Sequence, residues 1–133
     1  MPLTTIANED GPAEEPLRRW LTLLCSRTRQ KVLDDPELFA TYKELASSAG
    51  DVVRAHIDYL IEQITQIIRD GVAQGVFATD DPFVSARAVF TATTLFHDPA
   101  HVVVWSDPVI DAAFDGVWFL MLVGLSPRTM SQA

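Results

Sequence analysis

Apolar residues recur every three or four positions along most of the chain, the spacing that buries one face of an α-helix. The pattern predicts a first helix over residues 13–33 and a third over residues 51–74. Their inner faces carry Leu17, Trp20, Leu21, Leu24, Cys25, Thr28 and Val32 in the first helix, and Val53, Ile57, Leu60, Ile61, Ile64, Ile67, Ile68 and Gly71 in the third. Each helix is therefore predicted to pack on a core through one side and to meet solvent through the other.

Four Asp-Pro pairs mark the starts of further segments, and these are Asp35-Pro36, Asp81-Pro82, Asp98-Pro99 and Asp107-Pro108. An aspartate accepts hydrogen bonds from the unpaired amides of a helix start, and a proline in the first turn removes no needed donor. We predict helices over 36–48, 82–97, 99–105 and 109–125. No alternating run of β-branched residues lies between them, so the predicted fold class is all-α, an antiparallel bundle of five to six helices.

The helices predicted at 82–97 and 109–125 are apolar on two faces. One pair of faces carries Phe83, Ala86, Phe90, Thr94 and His97, and Ile110, Phe114, Val117 and Met121. The other pair carries Val84, Ala88, Thr91, Ala92 and Leu95, and Ala112, Gly116, Phe119 and Val123. A chain of 133 residues has too little interior to surround two such helices. We therefore predict a homodimeric four-helix bundle, the alternative being a monomeric bundle in which the helix at 82–97 is central.

Charge and composition narrow the possible partners. The formal net charge is −8, whereas binding to nucleic acid depends on Lys and Arg neutralising phosphates, so no direct contact with DNA is expected. The single cysteine, Cys25, forbids an internal disulfide and fits a reducing, cytoplasmic location. The N-terminus lacks the pattern of a secretory signal, and Asp111 and Asp115 interrupt the most apolar stretch, so no membrane partner is expected.

Several segments resemble the C-terminal domain of TetR-type bacterial transcription regulators. They are Asp35-Pro36-Glu37-Leu38-Phe39-Ala40 with Tyr42 and Glu44-Leu45, residues 64–77 (ITQIIRDGVAQGVF), Asp80-Asp81-Pro82, residues 96–102 (FHDPAHV) and Gly124-Leu125. The resemblance spans Pro16 to Leu125. It implies a TetR C-terminal-domain-like fold whose two late helices, at 82–97 and 108–125, form the dimer. It also implies an effector-binding and homodimerisation domain of a repressor, sensing an unidentified, mostly apolar small molecule.

The start of the chain departs from the family pattern. Intact members carry an N-terminal helix-turn-helix, and no such segment precedes Pro16, so DNA would be reached only through a domain absent from this sequence. We expect a flexible acidic leader over 1–15, the ligand-binding and dimerisation domain over 16–126, and a flexible tail over 127–133. The alternatives are a stand-alone helical module that heterodimerises with a full-length regulator, and a small helical enzyme.

An effector cavity is expected among the first, third and fourth helices, lined mainly by apolar side chains with a few polar groups. The predicted lining is Trp20, Leu24, Tyr42, His56, Leu60, Gln63, Ile64, Phe90, Thr94 and His97, for each of which ordinary core packing is the alternative. The predicted dimer interface is Val84, Ala88, Thr91, Ala92, Leu95, Ala112, Gly116, Phe119 and Val123.

Other chemistry-bearing residues receive structural roles. His97 and His101 lie four apart, but Asp98 between them is expected to cap a helix, so no metal site and no cofactor are predicted. The sequence contains no activated nucleophile, paired carboxylates or phosphate-binding loop, so no catalytic residue is assigned. Arg87, surrounded by apolar positions, is predicted to form a salt bridge with Asp111 or Asp115 of the last helix.

Overall fold

The computed structural model describes residues 2–35, 37, 40, 44 and 50–127, and within them every regular element is a helix. We number these elements α1 (Leu3–Ala7), α2 (Glu14–Asp34), α3 (Gly50–Gln74), α4 (Pro82–Ala92), α5 (Thr94–His97), the 3₁₀ helix η1 (Pro99–Ser106) and α6 (Ile110–Leu125). The predicted all-α class is confirmed. Most of the helix predicted over 36–48 lies outside the described residues, although Glu37, Ala40 and Glu44 are helical.

The main core lies where the predicted inner faces of α2 and α3 meet each other and α4. Its most completely buried members include Leu17, Trp20 and Leu21 from α2, Ile64, Ile67 and Ile68 from α3, and Ala86 and Val89 from α4. The N-terminal end of the α3 stripe is less covered, because Val53 and Ile57 are only half-buried. Burial of these apolar side chains supplies most of the stabilisation of the fold.

A smaller cluster joins α2 to the late part of the chain. Cys25 packs with Phe96 of α5 and Ile110 of α6, and half-buried Val104, Phe114 and Val117 surround them. Phe96 and Phe114 meet edge to face, with ring centroids 5.2 Å apart, a favourable geometry for two aromatic quadrupoles. This cluster holds α6 against the body of the domain through one face.

Two Asp-Pro pairs cap a helix start as the sequence predicts, and a third caps only the turn that precedes α6. Asp81 accepts from the backbone N–H of Phe83 at 3.0 Å, Asp98 from that of Ala100 at 2.9 Å, and Asp107 from that of Val109 at 3.0 Å. The fourth pair contains Pro36, which lies outside the described residues.

The predicted helix over 82–97 is broken at Thr93, which separates α4 from α5. The Thr93 hydroxyl donates to the carbonyl of Val89 at 2.9 Å, and the neighbouring Thr94 hydroxyl donates to the carbonyls of Phe90 and Thr91 at 3.1 and 2.8 Å. Two consecutive β-branched hydroxyl residues thus compete with backbone N–H groups for the same carbonyls, which bends a helix. The prediction of one uninterrupted helix over residues 82–97 is therefore wrong.

The N-terminal segment, expected to be a flexible leader, is packed in the structure. Ile6, Ala7 and Ala13 are at most 5% exposed and belong to the main core. Gln74, at the end of α3, ties this segment down by accepting from the N–H of Ala13 at 2.9 Å and donating to the carbonyl of Gly11 at 2.7 Å. The acidic composition of the segment favours a flexible leader in the sequence analysis, but a few apolar side chains are enough to anchor it.

No single helix in the described part of the chain is both long and apolar enough to cross a membrane. The pair formed by η1 and α6 meets the criteria of length and composition together, but the two helices are bent by 117° relative to each other.

The end of α3 is closed by a glycine in the left-handed region. Gly75 has φ +79°, and the N–H of Val76 bonds to the carbonyl of Gly71 at 3.0 Å, which is the pattern of a Schellman cap. The reversal brings the ring of Phe77, 2% exposed, back onto Gly71.

Gly71→Ala is expected to destabilise the domain by about 1–3 kcal/mol, because the added Cβ would lie 2.8 Å from Phe77 Cγ and force the buried ring to move. Gly124→Ala in α6 is the control, since no atom lies within 4 Å of its Cβ position and helix propensity favours alanine. Urea unfolding of both variants measures the difference. If the two variants had equal free energies of unfolding, the contact between the Phe77 ring and Gly71 would not be tight enough to exclude a Cβ.

Candidate functional site

A buried hydrogen bond connects α2 and α3 in the middle of the main core. The indole N–H of Trp20, which is fully buried, donates to Oε1 of Gln63 at 3.0 Å. Gln63 is 8% exposed, and its Nε2 has no hydrogen-bond partner within the described structure. Buried polar groups are nearly always paired, so this unpaired nitrogen in the main core marks a candidate site.

A second buried polar group lies on α5. His97 is 6% exposed, its Nε2 is 3.0 Å from the hydroxyl oxygen of Thr93, and its ring centroid is 4.7 Å from that of Phe90. The Thr93 hydroxyl hydrogen is directed to Val89, so the Thr93 oxygen accepts from Nε2–H. Burial lowers the pKa of His97 to about 4, although Asp98 opposes the shift. The imidazole is therefore neutral at physiological pH.

Most of the predicted lining falls in one connected region. Trp20, Leu24, Leu60 and Ile64 belong to the main core, and Phe90 packs against it. Gln63 joins this group through Trp20, His97 joins through the Phe90 ring, and the half-buried Thr94 bonds to the Phe90 carbonyl. His56 is exposed on α3 and is not part of this group. Tyr42 lies outside the described residues.

Sequence reasoning missed Thr93, which is fully buried and holds the ring of His97. The available signal was its position, since residues four apart on a helix face the same side. It was overlooked because threonine is more often a surface residue than a buried one.

The second face of the late helices is open to solvent in the single chain. We call it the late-helix face and define it by the nine residues predicted for the dimer interface, Val84, Ala88, Thr91, Ala92, Leu95, Ala112, Gly116, Phe119 and Val123, all of which are exposed. Phe119 is 63% exposed and Val123 is 57% exposed. Leu120, 72% exposed, and Phe83, 47% exposed, enlarge the apolar surface beyond the predicted set.

A comparison with family models identifies the type of domain. The model described as tetracyclin repressor-like, C-terminal domain, matches residues 13–118, which include α2 to α5, η1 and half of α6. This chain belongs to that family. Domains of this family are regulatory rather than enzymatic, and they generally dimerise and bind small-molecule effectors. The TetR resemblance expected from the sequence is thereby confirmed.

Neither curated protein sequences nor solved structures provide a significant match to the chain. The family assignment therefore depends on the family model, and the ligand must be argued from this chain's own residues.

The predicted salt bridge of Arg87 in the TetR-like domain is wrong. Asp115 pairs with Arg18 of α2, whose Nη2 lies 2.6 Å from Oδ1, and the Arg18 guanidinium also lies 5.7 Å from the ring centroid of Trp118. Arg87 is exposed and makes no ion pair with another described residue. The prediction requires Arg87 to be buried among apolar residues, whereas its side of α4 is open in the single chain.

Cys25 and the histidines show no sign of reactive or metal chemistry in the described structure. Burial raises the pKa of the Cys25 thiol to about 11, against a smaller opposite effect of Arg29, so the nucleophilic thiolate is scarce at neutral pH. His97 points its Nε2 at Thr93, and Asp98 caps η1. No group of three His, Cys, Asp or Glu side chains within the described ranges is arranged to hold a metal ion.

The stability of the TetR-like domain is expected to fall as the pH decreases from 6.5 towards 4. The folded pKa of His97 lies below its ordinary value of 6.5, so the unfolded chain binds more protons in this window, and the loss approaches about 3 kcal/mol at its acid end. Well above pH 6.5 both states are neutral at this position, and the contribution of His97 is constant.

His97→Gln tests this prediction because glutamine can still donate to Thr93 but does not titrate. Urea unfolding from pH 4 to 7 should show a flatter pH dependence than in the parent domain, while exposed His101→Gln should retain it. An unchanged pH slope in His97→Gln would assign the acid sensitivity to other groups.

Proposed function

We propose that this TetR-like domain binds a small, mostly apolar effector in the core between α2, α3 and α4, and homodimerises through the late-helix face. Effector binding is supported by the buried Nε2 of Gln63, which has no hydrogen-bond partner in the described structure and lies in the connected group of Trp20, Ile64, Phe90 and His97. The function is regulatory, since the domain would report the presence of its effector to a DNA-binding partner domain.

Its buried composition supports an apolar effector. Leucine, isoleucine and aromatic side chains form most of the described part of the candidate lining, and its polar members are Gln63, Thr94 and His97. Effector pockets combine such a lining with a few placed polar atoms that orient the ligand. Because His97 is neutral at physiological pH, the core offers no positive charge there to an anionic ligand.

The late-helix face supports a second copy of the chain as the dimer partner. It lies on α4, α5 and α6, and its apolar residues include Val84, Leu95, Phe119 and Val123. Small side chains at Ala88, Ala92, Ala112 and Gly116 allow helices to approach closely, and no atom lies within 4 Å of a Cβ built on Gly116. A two-fold axis would let the same pair of helices from each copy complete a four-helix bundle.

Val123→Glu is expected to weaken dimerisation at least about 100-fold, because a carboxylate would be buried without a partner at the centre of the bundle. Val52→Glu is the matched control, since Val52 is 71% exposed on α3 and lies outside the late-helix face. Sedimentation velocity across micromolar concentrations measures both variants.

A parent domain that is monomeric at those concentrations contradicts homodimerisation. A monomer that gains mass only when mixed with a full-length TetR-type regulator would favour the heterodimerising module instead. A Val123→Glu dimer as tight as the parent would place the interface elsewhere.

Bound effector is expected to survive purification and to raise the melting temperature. Native mass spectrometry of the freshly purified domain should show a small-molecule mass, and removal of that mass by unfolding and refolding should lower Tm, since a ligand that binds only the folded state stabilises it. Addition of uncharged apolar compounds should restore Tm. A domain that carries no added mass, and whose Tm no compound raises, contradicts effector binding.

A further inference from the structure

The unpaired amide of Gln63 is the one buried polar group in the main core whose hydrogen-bonding capacity the described structure leaves unused. The buried hydroxyls are committed to helix carbonyls, Thr65 to Ile61 at 2.8 Å and Thr93 to Val89 at 2.9 Å. The other unpaired buried atom, Nε of Arg29, lies near the opposite end of α2, where the guanidinium stands 5.6 Å from the ring centroid of Trp105.

The orientation of the Gln63 amide is fixed by its neighbour. An indole N–H can only donate, so the atom 3.0 Å from Trp20 Nε1 must be the carbonyl oxygen Oε1 of Gln63. The NH₂ end is then directed elsewhere, and both of its hydrogens lack an acceptor among the described residues. Because Trp20 occupies the carbonyl oxygen of the Gln63 amide, only the NH₂ donors of that amide remain available to a ligand.

The surroundings limit the charge of what these donors can bind. No Asp, Glu, Lys or Arg is among the buried residues that the structure describes, and His97 is neutral near pH 7. An ion in this core would lack a counter-charge, whereas a neutral carbonyl oxygen would lose only its hydration and regain hydrogen bonds from Gln63.

We propose that Gln63 Nε2 donates to a carbonyl oxygen of the effector, and that the domain thereby selects uncharged, mostly apolar carbonyl compounds over isosteres without the oxygen. Trp20 is the positioning residue that holds the donor in place. The inference rests on the proposed effector-binding function and specifies the chemistry of the ligand at that site.

The test uses matched pairs of probes that differ only in the acceptor. Acetophenone and α-methylstyrene have closely similar size and shape, with a carbonyl oxygen exchanged for a methylene group, and 2-acetylnaphthalene and 2-isopropenylnaphthalene form a larger pair. Binding is followed by titration in ¹H–¹⁵N spectra, which report the Gln63 side-chain NH₂ and the Trp20 indole N–H directly.

The parent domain is expected to bind at least one ketone about tenfold or more tightly than its alkene partner, the effect of one buried hydrogen bond. The Gln63 NH₂ signals should shift with the ketone and not with the alkene. Gln63→Met should abolish the preference, with Gln63→Leu as a second variant of similar character. Gln66→Met is the control, because Gln66 is exposed and its Nε2 donates to Asp70 at 3.0 Å. The Gln66→Met domain should prefer the ketone as strongly as the parent domain does.

Trp20→Phe separates positioning from packing. Loss of the indole N–H leaves the Gln63 amide free to reverse, so the ketone preference should decrease while alkene binding persists. A Trp20→Phe domain with the full ketone preference and unchanged Gln63 shifts would overturn the positioning role.

The outcomes distinguish this inference from the function on which it rests. Ketones and alkenes that bind equally well, or a preference that survives in Gln63→Met, overturn the role of Gln63 and leave effector binding intact. Failure of every probe to bind the folded parent domain counts against both the carbonyl selectivity and the proposed effector site.

Discussion

The contact between the isoleucine face of α3 and the Trp20 face of α2 is the constraint on which the rest of the domain depends. Ile64, Ile67 and Ile68 are at most 1% exposed there, and α4 closes the third side through Ala86 and Val89. A side-chain hydrogen bond between the two helices joins Trp20 to Gln63 in the middle of this core. Since that contact removes a large indole and a polar amide from water together, it fixes both the register of the two helices and the direction in which the unused amide hydrogens point.

The N-terminal segment and the end of α3 are arranged around the same core. Ile6, Ala7 and Ala13 cover its edge, and Gln74 holds their backbone in place. At the other edge, the left-handed Gly75 reverses the chain so that Phe77 packs on Gly71. These features add apolar area to the main core, which raises the share of surface that a chain of 133 residues can bury.

A core that uses α2 and α3 so fully leaves α4 and α6 covered on one side only. Val89, Trp118 and Leu125 are turned inward, whereas Val84 and Phe119 face solvent. An apolar surface of this extent is costly to hydrate, and a second copy would cover it with surface of the same kind. The candidate effector core and the late-helix face therefore share α4. A ligand that moved α4 would change the contacts of a partner chain bound to that face.

The sequence alone determined the helical class, the inner faces of α2 and α3, two of the capped starts and the family, because each is encoded by local spacing or by short ordered segments. Tertiary structure decided the rest. The break at Thr93 depends on which carbonyls the threonine hydroxyls reach. The pairing of Asp115 with Arg18 depends on which helices become neighbours. The packing of residues 3–13 depends on a surface that α2 and α3 create only after folding. The unpaired state of Gln63 likewise cannot be deduced from spacing, because a donor is unsatisfied only in relation to every atom that surrounds it.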